Sequence, residues 1–421
     1  MTGYSELSDW NRVDWEDPST IERFHMISDK AQDIFLQMKG YFLEREDAIV
    51  CLLVGAFSRQ NTILIGDVGT AKSALVSAFA KRVRMEEDKF FDILLSPHTP
   101  IESIMGAINI EKMVNESRYE RNVSGMLPSA VIASLDEVFK ADSALHNELL
   151  MILNEHEYVN DGKRMKCPLL TAVLASNELP GDEEAVTSHA LFDRILLRCK
   201  VDRLSSEGNL LRLMEYSVFT DKEYFDHEEY VTLSIDEWKE AINMVFNIVI
   251  SDDVKRQANI IRRKLVLLGI PPSDRRLREA MNAVRANAFL HGRNRADIRD
   301  LDILRFIFWK EVEQIPTITN IVLETSNPHK AKIIRYRQNM HEILEEVRKH
   351  AESDNTQLLE RELFRYVGKL KRCLDEAREI CLEEEKEYRD ELESMIKGME
   401  SIPSEVTNIV YGKRIDMTDA R

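Results

Sequence analysis

Asn61-Thr-Ile-Leu-Ile65-Gly66-Asp67-Val68-Gly69-Thr70-Ala71-Lys72-Ser73 is the stretch on which the fold turns. Its first five residues form a short apolar run, as strands covered on both faces do. A glycine loop follows, and Leu75, Phe79 and Val83 then recur at helical spacing. Strand, glycine loop and helix make the setting in which backbone N–H groups cradle phosphates, a Lys reaches the β- and γ-phosphates and a Ser holds Mg²⁺. Gly66, Asp67, Val68, Gly69, Thr70, Ala71, Lys72, Ser73 and Ala74 are therefore the candidate nucleotide-binding residues. The general pattern has Gly directly before the Lys; Ala71 stands there, and an ordinary strand-to-helix turn explains the isolated match equally well.

Working outward, Ala130-Val-Ile-Ala-Ser-Leu135 and Leu169-Leu-Thr-Ala-Val-Leu-Ala175 are two further apolar runs that end in polar groups, Asp136-Glu137 and Ser176-Asn177. Ligands in open α/β sheets bind at the carboxyl ends of strands, so the three endings are expected to converge. Asp136 would hold Mg²⁺ through water while Glu137 orients and deprotonates an attacking water; the alternative is a surface turn. Asn177 would hold that water in line, or merely cap a helix. Arg194, in Leu191-Phe-Asp-Arg194-Ile195, would stabilise transition-state charge on a neighbouring subunit's nucleotide, or pair with Asp193. Ser73 and Asp136 are the metal-ligand candidates.

The chain resembles the MoxR family of AAA+ ATPases, and within it the RavA branch. The resemblance rests on Gly66–Ser73, Arg118-Tyr-Glu-Arg121 with Ser124-Gly-Met-Leu-Pro128, Leu135-Asp-Glu137, Ala175-Ser-Asn-Glu-Leu-Pro180 and Phe192-Asp-Arg194. Ala before the Lys is usual in that family. The resemblance implies a homo-hexameric ring that hydrolyses ATP with Mg²⁺ at subunit interfaces. Lys72 and Ser73 would match Walker A, Asp136 and Glu137 Walker B, Asn177 sensor 1 and Arg194 the arginine finger. Ser273-Asp-Arg275 matches sensor 2, with the adjacent Arg276 as the competing choice. It also implies protein-remodelling, chaperone-like work with a von Willebrand A-domain partner.

Glu157-Tyr-Val-Asn-Asp-Gly162-Lys-Arg-Met-Lys-Cys167 alternates around an Asp-Gly turn and reads as a hairpin, which the resemblance aims into a ring pore. Lys163, Arg164 and Lys166 there would grip a polypeptide or a nucleic-acid backbone, or serve no function. A DNA-acting motor is accordingly the second reading and a nucleotide-gated scaffold the third. His156-Glu157 has Asn160 where a zinc-binding helix needs His.

The chain has 421 residues, 57 Lys or Arg against 74 Asp or Glu, and a net charge of −17, which argues against nucleic-acid binding over the whole surface. A basic stretch offsets this locally: residues 255–299 hold 12 Lys or Arg against 3 Asp or Glu. The longest apolar run, Ala48–Phe57, is too short to span a membrane. Five scattered cysteines without a Cys-x-x-Cys pair disfavour a disulfide framework or zinc site, and the start shows no secretory leader, so a cytoplasmic setting is expected.

The expected organisation is an N-terminal segment (1–39), an AAA+ αβα core with a parallel sheet (40–203), an all-α lid (204–314), a linker (315–331) and a C-terminal helical arm (332–421). The arm reads as a coiled-coil hairpin. Its two long helices, 332–351 and 358–398, are separated by Ser353–Thr356, with a seam at Leu359, Leu363, Tyr366, Leu370, Cys373, Ala377 and Ile380. The run Glu383-Glu-Glu-Lys-Glu reads as a solvated helix face. RavA carries a β-rich insertion after its lid; none is visible here.

Overall fold

β1 (Thr62–Ile65), β2 (Phe90–Leu94), β3 (Ile132–Asp136), β4 (Thr171–Ser176) and β5 (Leu197–Lys200) form one sheet in the order β2-β3-β4-β1-β5. Every pairing is parallel, and the registers bring Leu94 level with Asp136 and Ile65 level with both Ser176 and Lys200. The three apolar runs are thus adjacent inner strands, and their polar endings meet at one edge. β1 is buried at every residue, as its uninterrupted apolar run requires.

The computed structural model describes residues 12–181, 186–215, 230–352, 356–384 and 386–419. The first eleven residues, 216–229 of the expected lid and the expected helix break at 353–355 lie outside them. The chain divides into two compact units, residues 1–203 with 217–319 and residues 204–216 with 320–421. Residues 204–216, expected in the lid, therefore group with the C-terminal helices.

In the first unit the longest apolar run becomes helix Glu46–Ser58, buried from Ala48 onward, which makes it a core helix. Phe57 stacks on Trp238 with centroids 4.1 Å apart, and Trp238 also meets Phe79 edge-on at 6.1 Å. Phe289 joins Phe57 at 4.9 Å and Phe24 at 5.3 Å. This aromatic cluster ties helix Lys72–Ala80 of the glycine loop to helices Ile235–Asn247, Asp274–Leu290 and Pro18–Tyr41. Removing one such ring costs on the order of 3–5 kcal/mol. The N-terminal segment is therefore part of this unit's packing, with Arg23 paired to Glu240 and Lys30 to Glu237.

The C-terminal expectation needs correction. Residues 315–331 are helical, in Ile315–Ser326 and the start of Pro328–Glu352, because Pro316 and Pro328 occupy first-turn positions that tolerate Pro. The arm comprises helices Pro328–Glu352, Thr356–Glu383, Lys386–Lys397 and Ile402–Asp419 around a core of its own, which includes Leu344, Leu370, Ala377, Leu392, Met399 and Val406. Of the expected seam, Leu363, Tyr366, Leu370 and Ala377 are buried in this shared core and Cys373 and Ile380 partly so. The second long helix stops at Glu383, where Arg389 Nη2 donates to the carbonyls of Leu382 (3.2 Å) and Glu384 (2.9 Å). Glu384 itself is buried against His329 at 2.8 Å, so the acidic run is not wholly a solvated face.

Candidate functional site

The glycine loop leaves β1 at Gly66, whose backbone lies against the chain following β5. A side chain there would strike the Val201 carbonyl at 2.1 Å, so only Gly fits. Gly69 takes φ +83°, a conformation Gly adopts without steric cost. Ala71 takes φ +67° without that freedom, at a cost of roughly 1–2 kcal/mol. Helix Lys72–Ala80 starts directly after it.

Lys72 is the hub. Its Nζ donates to the carbonyls of Gly66 and Asp67 (2.9 Å) and to Asn177 Oδ1 (3.0 Å). Burial lowers its pKa below the ordinary lysine value, against the pull of the Asp136, Glu137 and Asp67 carboxylates. Ser73 Oγ donates to Asp136 Oδ2 at 2.9 Å. Asn177 Nδ2 donates to Glu137 Oε1, and the Lys140 ammonium lies 3.3 Å from Glu137 Oε2. Glu137 is itself in the left-handed region, φ +53°, with its N–H on Asp136 Oδ1 at 2.9 Å. Backbone strain of this kind persists where its surroundings over-determine it, typically at functional sites.

The structure thus brings Lys72, Ser73, Asp136, Glu137 and Asn177 to one sheet edge. A hydroxyl and a carboxylate within hydrogen-bond distance are hard oxygen donors of the kind Mg²⁺ takes from protein when phosphates and waters complete its shell. A desolvated ammonium satisfied by three oxygens is poised to exchange them for phosphate oxygens. Beside this cluster a cleft of about 410 Å³ is lined by Gly66, Asp67, Asn177, Lys200, Asp202 and Arg203 among others.

Arg194 and Arg275 lie elsewhere. Arg194 ends helix Val186–Arg194, just before β5 begins, and is exposed. Asp193, expected to compete for it, instead faces Arg198 (3.7 Å) and Lys310 (3.8 Å). Arg275 bonds Glu279 (2.7 Å) and Asn154 (3.2 Å). Asn154 follows Leu153, whose carbonyl takes the amide of Asn61 at 2.8 Å, directly before β1. Both arginines therefore sit at the amino-terminal edge of the sheet, away from the glycine loop of their own chain. Arg276 is spent structurally: its guanidinium holds the carbonyls of Asp193 (2.8 Å) and Ile307 (2.7 Å).

The hairpin forms as expected, Glu157–Asn160 pairing with Lys163–Lys166. Its turn is held by the Arg118–Arg121 segment: Asp161 accepts from Arg118 Nε (3.2 Å) and Tyr119 N (3.0 Å), and Asn160 Oδ1 from Arg121 N (2.7 Å). Arg164 is paired with Glu155 and Glu157. His156 is a helix C-cap, φ +50°. Two contacts escaped the sequence. For Lys140 the i,i+3 spacing from Glu137 is a signal that could have found it, whereas Arg45, which donates to the Thr70 carbonyl, has no local signature.

The profile of the MoxR domain in the MoxR-vWA-beta-propeller ternary systems matches residues 29–239, and that of an AAA lid domain matches 253–322. Two uncharacterized proteins of Methanocaldococcus jannaschii are similar: one is 33% identical over 73% of this chain and 77% of its own length, the other 31% identical over 89% and 98%. A crystal structure from Cytophaga hutchinsonii, provisionally described as an ATPase, superposes with a TM-score of 0.58 at 16% identity, covering 73% of this chain and 98% of that one; it shows a shared fold. No helix among the described residues is long and apolar enough to cross a membrane. With half the chain matched by the family profile and the glycine loop and acidic strand end in place, the chain belongs to the MoxR family of AAA+ ATPases.

Proposed function

We propose that the protein hydrolyses ATP at the interfaces of a ring of identical subunits and uses the cycle to remodel protein complexes. The observation that carries this reading is the hydrogen-bonded chain Lys72–Asn177–Glu137 beside Ser73–Asp136 at the carboxyl edge of a parallel sheet. Bound ATP with Mg²⁺ supplies a phosphoryl centre open to attack by water. Lys72 and the loop N–H groups hold phosphate oxygens, Ser73 and Asp136 offer oxygens to the metal, Asn177 orients the water and Glu137 takes its proton. Arg194, at the far edge of its own sheet, is available to the neighbour's site, and the same edge gives Arg275 a trans role.

A von Willebrand A-domain partner is supported by the family description, which names such systems. A protein substrate fits better than nucleic acid. Half of the basic stretch is already engaged within the chain: Lys255, Arg256, Arg275 and Arg293 pair with acids, and Arg276 and Arg285 hold backbone carbonyls. Five free thiols fit a cytoplasmic setting. Glu137→Gln is expected to bind ATP normally and to release phosphate at least about 10²-fold more slowly, as loss of a general base does. Undiminished phosphate release by that variant contradicts the reading.

A further inference from the structure

The glycine loop has an anchor outside its own sequence. Arg45 stands at the start of helix Glu46–Ser58 and is 8% exposed. Its Nε donates to the Thr70 carbonyl at 3.2 Å and its Nη1 to the Glu44 carbonyl at 2.8 Å. Burial lowers the guanidinium's pKa, opposed by the carboxylates of Glu44, Asp202 and Glu46. Burying a cation is costly, so its retention beside the loop calls for a reason.

Thr70 lies between two residues in the left-handed region, Gly69 at φ +83° and Ala71 at φ +67°. A trans peptide carries its C=O and the following N–H on opposite sides. Pinning the Thr70 carbonyl on Arg45 therefore turns the Ala71 N–H away from Arg45. Because Ala71 lacks glycine's freedom, its peptide needs an external hold to stay in that orientation.

We infer that Arg45 is a positioning residue for nucleotide binding, fixing the Thr70–Ala71 peptide so that the Ala71 N–H is presented to a phosphate oxygen. This rests on the reading of the loop as a nucleotide site. It acts before chemistry, so it should govern affinity far more than turnover.

The test measures the dissociation constant of a fluorescent ATP analogue, kcat, KM and melting temperature on full-length variants. Arg45→Gln is expected to weaken binding about tenfold, the equivalent of one hydrogen bond to a charged group, with kcat at saturating ATP within about threefold of wild type. Arg45→Lys, whose ammonium can reach one carbonyl only, is expected to weaken binding about threefold at an unaltered melting temperature. In an Ala71→Gly background, where the left-handed turn carries no penalty, the loss caused by Arg45→Gln should shrink below about threefold. Wild-type affinity in Arg45→Gln, a fall in kcat at unchanged affinity, or an equal loss in the Ala71→Gly background overturns the inference. Should Arg45→Gln not fold, Arg45→Lys decides alone, and unchanged affinity there overturns it. A wild-type chain that binds no analogue, or a Lys72→Ala variant that binds it normally, overturns the nucleotide reading itself.

Discussion

Asn177 accepts from Lys72 with one end of its amide and donates to Glu137 with the other, so a single uncharged side chain sets the spacing between the cation and the carboxylate. Asn177→Ala is expected to lower kcat by about 10²-fold while ATP affinity stays within a few-fold, as loss of one preorganised donor does. A weakened affinity with normal kcat, from the same steady-state and binding measurements, would contradict that role. The residues legible in the sequence are those whose partners follow a strand ending, because β-register carries Ile65, Asp136 and Ser176 to one edge. Arg45 was illegible because a buried guanidinium and the carbonyl it holds are related only through tertiary packing. Ser-x-Arg at a helix start fixes a cap, here Ser273 Oγ accepting from Arg276 N, and leaves open which sheet edge Arg275 faces.

Helix Ile235–Asn247 illustrates how an element is secured. Ser234 and Glu237 form a reciprocal capping box, and Trp238 buries its ring one residue later. Burial pushes the Glu237 carboxyl up, but hydrogen bonds from Lys30 and Ser234 more than offset this and hold it at about 2. A depressed native pKa contributes stability that is present above the unfolded value near 4.5 and lost as pH falls toward 2, up to about 3 kcal/mol at 1.36 kcal/mol per unit. Glu237→Gln should therefore lower the stability measured by urea unfolding at pH 7 by roughly that order and flatten its pH dependence between pH 5 and pH 2. An unchanged slope over that window would show that the pair contributes nothing. Among elements, the inner strands and the Asp-Gly hairpin were legible because their signals are local. The 315–331 stretch was not. Ser326-Asn-Pro328 reads as a turn, yet Asn327 Oδ1 caps Lys330 N at 3.0 Å and Pro328 opens a helix. A seam at helical spacing likewise says that a partner exists without saying how many helices share it.

At the scale of the whole molecule, a net charge of −17 coexists with a site built on one buried lysine, and Arg194 and Arg275 lie at the other edge of the sheet. In the proposed ring each chain contributes Glu137 to one site and Arg194 to the next, and the two meet when copies associate head to tail. Arg194 is exposed and the adjacent Asp193 is turned to Arg198 and Lys310, as the proposed ring requires. The most direct test is phosphate release by a mixture of two full-length variants, Glu137→Gln and Arg194→Ala. Each alone should be nearly inactive, because loss of an arginine finger costs on the order of 10³-fold or more. An equimolar mixture should regain on the order of a quarter of wild-type turnover, the share of interfaces that pair an intact Glu137 with a neighbour's Arg194. A mixture no more active than its components, or an Arg194→Ala variant that hydrolyses ATP at the wild-type rate, contradicts a shared catalytic site.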